Sequence, residues 1–181
     1  IKAPSFAQSI GRVGFADIPV DPDGVARRGI LLVSGTDGIS LALSAQIALR
    51  ASGQTGLKAW PDDPRILLFG QTPVPKLEDG FGSYRGIDDA GYQVLLDYAN
   101  GLPMAATVLA RDLLSGAADP GLVKGKVALV GVTSESIKDN FRTPLNNPPQ
   151  TPFSFGVQLH AAFAQQMIDY AAGRGKPIRS P

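Results

Sequence analysis

The hydrophobic and polar positions of residues 12–20 and of 26–33, the latter closing on the apolar run Ile30-Leu31-Leu32-Val33, read as two strands. Asp21-Pro22-Asp23-Gly24 between them has turn chemistry, so the two runs are expected to form a hairpin. Ser40 then stands as the cap of a helix reaching Arg50, with Leu43, Ile47 and Leu49 apolar and Gly53 as its stop. Residues 66–69 read as a short strand. Residues 70–89, rich in Gly, Pro and Asp, read as loop with one small hairpin around Gly80. A further strand is predicted over 92–98, and helical spacing over 107–114 predicts a helix ending near Gly116. The run 127–130, Val-Ala-Leu-Val, reads as the strongest strand of the chain, and 146–152 as a proline-rich loop. From Val157 to about Tyr170 a helix carries Leu159, Phe163 and Met167 on one face, with Gly173 as its stop. Ile168 and Tyr170 lie off that face and are available to a partner or to the domain itself; Gln166 is expected on the exposed side.

A hairpin followed by strands alternating with helices implies an α/β fold: a single domain over residues 1–181, with a mixed β-sheet flanked by helices on both faces. A chain of 181 residues suits one domain with a sizeable core. Apolar residues at 44% against 18% charged exclude a disordered chain. Basic and acidic residues number 17 and 16, so no overall field draws in nucleic acid, and no nucleic-acid partner is expected. The absence of cysteine removes disulfides, thiolate metal sites and cysteine nucleophiles together. No run approaches the roughly 18 to 20 apolar residues that span a bilayer. The chain opens Ile1-Lys2-Ala3-Pro4, without methionine, and reads as a piece of a longer protein.

Candidate chemistry is sparse. GKVALVGVTSESIKDNFRTPL, residues 125–145, opens like a phosphate-binding loop, with the hydroxyls Thr133 and Ser134 after a strand and a glycine. A dinucleotide fingerprint needs three spaced glycines, and only Gly131 follows the strand; Lys126 precedes the strand, where a P-loop lysine would follow the glycines. Asp21 and Asp23 begin like a calcium loop, but Leu32 stands where the bidentate glutamate belongs. Neither a metal site nor a cofactor is therefore expected. No Gly-x-Ser-x-Gly elbow occurs and no nucleophile–base pair can be named, which argues against an enzyme. Tyr84 and Arg85, in a glycine-rich loop, suit recognition of a planar or anionic ligand, or simply form a surface turn. Asp139 and Thr143 either cap the loop after the predicted strand or face a ligand. His160, the single histidine, is either a ligand contact or a half-buried ring donating to a backbone carbonyl.

Several stretches taken in order resemble one family. DPDGVARR before an apolar strand, SLALSAQIALRA, SYRGIDDAGYQVLLDY, LVKGKVALVGVTSESIKDNFRTPL and FGVQLHAAFAQQM are similar to the second class of CHASE sensor domains, from about Val13 to Met167. The name abbreviates cyclase- and histidine-kinase-associated sensing extracellular. The resemblance implies a non-catalytic input module in the periplasmic part of a bacterial inner-membrane receptor, anchored through flanking membrane helices. It also implies a nucleotide cyclase, histidine kinase or Ser/Thr kinase as cytoplasmic output. The intact receptor is expected to be a homodimer, the isolated domain a weak dimer or monomer. The expected partner is an unidentified small molecule or envelope ligand. The alternative is a module that docks a periplasmic protein or cell-wall component without a pocket. In this picture the loop after Val130 lies at the end of a central strand, where open α/β sheets form ligand crevices. It is expected to line a small-molecule pocket or to carry a signal-sensitive loop.

Overall fold

The computed structural model describes residues 4–9, 11–98 and 105–179. A short helix, α1 (Ser5–Ser9), comes first. The Asp-Pro-Asp-Gly segment then turns the chain as its composition demands, with the Gly24 N–H donating to the Asp21 carbonyl at 2.8 Å. The turn feeds β1 (Arg28–Gly35), the centre of a three-stranded antiparallel sheet. On one side β1 pairs with β2 (Gly38–Leu41), Val33 opposite Ser40, through a tight turn at Thr36-Asp37. On the other it pairs with β6 (Tyr92–Leu95), Arg28 opposite Leu95. A second antiparallel sheet holds β3 (Lys58–Trp60), β4 (Asp63–Phe69) and β5 (Thr72–Val74). A third is the pair β7 (Asn140–Phe141) and β8 (Ser154–Phe155). The helices are α2 (Leu43–Ala51), the short α3 (Ala110–Leu114) and α4 (Gly156–Ala171). Helices and sheets thus combine in one α/β domain. Parallel contacts among the described residues are the isolated bridges Phe15–Ala42 and Val25–Arg142.

The core lies where α2 and α4 pack together and meet both larger sheets. Leu31, Ala45, Ala48, Phe69, Val74, Val94, Phe163 and Met167 belong to one buried cluster. A side chain such as Leu31, Phe69 or Met167 contributes about 1.5–3 kcal/mol when fully buried. Caps do not supply comparable support: neither Ala42 nor Phe155, the residues before α2 and α4, offers a polar side chain, and α4 gains only the Phe155 N–H donating to Gln158 Oε1 at 2.9 Å. Packing therefore holds these helices. Gly29 shows how tight it is: a Cβ there would stand 2.5 Å from the Phe163 ring, so a side chain at 29 would push α4 off β1. The two larger sheets meet at one hydroxyl. Tyr92 Oη accepts from the Leu67 N–H at 2.9 Å and donates to the Val74 carbonyl at 2.7 Å.

Four expectations need correction. Residues 12–20 do not pair with β1, because β2 and β6 occupy both its edges; Phe15 instead bridges Ala42. Ser40 caps nothing, because it lies within β2, and α2 begins only at Leu43. The run 127–130 forms no ladder, and Val130 is 95% exposed. Its natural places are taken: the outer edge of β6 is closed by the Leu77 N–H on the Gln93 carbonyl and by Gln166 Nε2 on the Leu95 carbonyl. The outer side of β2 is met by the Phe15 N–H on the Leu41 carbonyl. Finally, Gln166 is not exposed: it bonds the Asp97 N–H and the Leu95 carbonyl. Ile168 and Tyr170 take the second of their two expected places, on the core of their own domain. Among the described residues no helix is long and apolar enough to cross a membrane.

Candidate functional site

Two polar clusters stand out among the described residues. The first grows from DPDGVARR. Asp21 and Arg28 side chains are each 4% exposed, and Arg28 Nε donates to Asp21 Oδ1 at 2.6 Å. Arg28 Nη1 donates to Gln93 Oε1 at 2.7 Å and to the Asp88 carbonyl at 3.0 Å, and Nη2 to the Val20 carbonyl at 3.3 Å. Asp21 Oδ2 also accepts from Arg27 Nη1 and from Tyr84 Oη, both at 2.9 Å. Arg27 reaches on to Asp23 through both terminal nitrogens. The Arg28 guanidinium lies 5.9 Å from the centre of the Tyr84 ring, within cation–π range. Burial, and then donation to Asp21, push the Tyr84 phenol up to about 12, so it remains a proton donor at neutral pH. A buried ion pair survives desolvation only when its hydrogen bonds are complete. Here the turn, β1, β6 and the loop 78–89 all contribute to that completeness, so the cluster is a clasp.

Arg85, next to Tyr84, points elsewhere. It is exposed, and its Nη1 folds back onto the Gly82 and Tyr84 carbonyls of its own loop at 3.0 and 2.6 Å.

The second cluster surrounds the start of α4. β7 and β8 place Asn140 opposite Phe155, and the Gly156 N–H donates to the Asp139 carbonyl at 3.0 Å. The Asp139 carboxylate lies so close to Gly156 that a side chain there would collide with it, which explains a glycine at the first helical position. Gly131 packs on Val157, so Thr133 and Ser134, two and three residues on, stay within about 11 Å of that contact along the chain. Thr133 is exposed, and Ser134 Oγ pairs with Ser136 Oγ at 2.8 Å. Thr143 is buried and fully engaged: its N–H and hydroxyl both reach Asn146 Oδ1, at 2.6 and 3.0 Å.

His160, one turn into α4, reaches across to α2. Its Nδ1 lies 3.1 Å from Ser44 Oγ and its Nε2 lies 3.3 Å from the Ala16 carbonyl. Burial pushes the imidazole pKa below its ordinary value, while the Ala16 carbonyl and the Asp139 and Asp17 carboxylates pull it back up. A serine hydroxyl at this distance from a histidine has the geometry of a nucleophile and base. Ser44, however, is 0% exposed, so no substrate can approach its Oγ.

The clasp therefore takes in Tyr84, the α4 corner takes in Asp139 and His160 with the 131–134 loop beside them, and Arg85 and Thr143 bind their own turns. Ser44 and Gln93 are residues that sequence reasoning left out, and Asp21 was read only as part of a turn. The serine had one signal: a hydroxyl within the small-residue stripe Ser44, Ala45, Ala48 that lets α2 and α4 approach. The cleft lined by Val74, Leu77, Phe81, Val94, Gln166 and Tyr170 has about 10 Å³, roughly room for one water. None of the seven predicted residues lines it.

The family model of the CHASE2 domain matches residues 2–181. No curated protein and no solved structure matches the chain.

Proposed function

Since the chain belongs to the CHASE2 family of extracellular sensing domains, we propose that it is the input domain of a bacterial transmembrane receptor. It lies on the periplasmic side of the inner membrane, is non-catalytic, and governs a cytoplasmic nucleotide cyclase, histidine kinase or Ser/Thr kinase. The family match over the whole chain is the observation that carries this reading. The intact receptor works as a homodimer, anchored by membrane helices outside this segment. The signal is a small envelope ligand, received at the start of α4 by Asp139 and His160 together with Thr133 and Ser134 of the loop that packs through Gly131 on Val157. A ligand drives such a receptor only by binding two states with different affinity.

One observation favours a second reading, docking of a periplasmic protein or cell-wall component. Val127, Val130, Val132, Leu114 and Ile137 are all exposed in one stretch of chain, more than scattered surface apolar residues require.

Thermal-shift screening of the domain against small metabolites and envelope extracts separates the two. A small ligand at 100 times its Kd adds about 2.7 kcal/mol of stability. Saturable stabilisation by a metabolite supports the first reading. Stabilisation only by macromolecular fractions supports the second. A reporter fused to this segment of the intact receptor and active in the cytoplasm overturns both.

A further inference from the structure

With one histidine and no cysteine in the chain, His160 is the side chain whose ordinary pKa places a charge change between about pH 5 and 8. Its two nitrogens face different partners, and those partners fix what each nitrogen must do. Nε2 faces the Ala16 carbonyl, which can only accept, so Nε2 carries a proton. In the neutral ring Nδ1 is then an acceptor, and the Ser44 hydroxyl donates to it across 3.1 Å. A second proton must enter at Nδ1 and turn it into a donor. The Ser44 hydroxyl must then reverse, and the acceptor that awaits it is the His160 carbonyl, 3.3 Å from Oγ. Both protonation states keep their hydrogen bonds with no movement of heavy atoms. What differs is charge, placed inside the contact between two helices.

We propose that His160 and Ser44 form a proton-operated switch that loosens the α2–α4 contact as the surroundings acidify. Ser44 is the second residue of α2 and His160 the fifth of α4, so an imidazolium sits near the positive ends of both helices. Relief comes only from a distance. Asp17 of the N-terminal segment and Asp139 before β7 are the charged groups that act on the ring. The first turn of α2 carries no acidic group, Arg50 lies at its far end, and α4 has no charged residue before Asp169. The inference is independent of which ligand the domain senses.

The direction follows from linkage. Burial holds the folded pKa below the unfolded value of about 6.5. Above that pH both states are neutral and the contact is complete. As pH falls below about 6.5 the unfolded chain takes up the proton first, and stability drops until the folded pKa is reached. In that window the unfolding equilibrium constant rises by up to about tenfold per pH unit.

The test uses the 181-residue chain. NMR titration of the single imidazole is expected to give a pKa below 6.5, a reading that needs no variant. Unfolding curves of wild type and His160→Gln between pH 5 and 8 are then subtracted, so that the carboxylates cancel. Wild type is expected to lose stability towards acid more steeply than His160→Gln, whose amide can still accept from Ser44 and donate to Ala16. An imidazole pKa at or above 6.5, or equal slopes in the two proteins, overturns the switch.

Discussion

The Arg28 clasp and the His160 corner both hold a basic side chain against protein partners, yet only the corner has two ways of doing so. A guanidinium is always charged and always a donor, so every partner around Arg28 must accept, and Asp21, Gln93 and two carbonyls do. That arrangement has a single solution. At His160 both the ring nitrogen and the Ser44 hydroxyl can donate or accept, so the same atoms admit two proton patterns. A fixed charge yields a rigid joint, whereas an amphoteric pair yields an adjustable one.

The largest test of that contrast is Asp21→Ala. It leaves Arg28 buried without its counter-charge, and denaturant unfolding is expected to show a loss of about 3–5 kcal/mol. A loss below about 1 kcal/mol would mean that the clasp is not the rigid joint described above. Tyr84→Phe removes one donor to a carboxylate that keeps two arginines, so the expected loss is about 1.5 kcal/mol, at the low end for a bond to a charged group. An unchanged midpoint would show that the phenol is dispensable to the clasp. Asp139→Asn is the smallest in stability, within about 0.5 kcal/mol for an exposed side chain. Its effect belongs to the other site: with that carboxylate neutral, the His160 imidazole is expected to titrate at lower pH. An unshifted ring would remove Asp139 from the corner.

Features that depend on near neighbours were legible in the amino-acid order. The stripe Leu159, Phe163, Met167 came out buried because a long amphipathic helix carries its orientation in its own period. The Asp-Pro-Asp-Gly turn needed only its own backbone chemistry. The α/β class followed from the succession of elements. The run 127–130 has the composition of a buried strand, but pairing depends on a free edge, and those edges are closed by Phe15, Leu77 and Gln166. Such information is spread over some 150 residues and leaves no local trace. The candidate site divides in the same way. Tyr84 stood out by residue type, but its hydroxyl turns inward to Asp21, 63 positions earlier. Ser44 and His160, 116 apart, meet only through helix packing.

The Tyr92 hydroxyl has a mechanical consequence. It pins the β3–β4–β5 sheet to β6, but two further pins act on the same sheet: Thr72 Oγ1 donates to the Tyr170 carbonyl at the end of α4, and the Gly70 N–H donates to Gln54 Oε1 beyond α2. A plate fastened to three separate members cannot swing about one of them without tearing free of the other two. The small sheet is therefore a rider rather than a paddle: any tilt at the far end of α4 carries it along as added lever length.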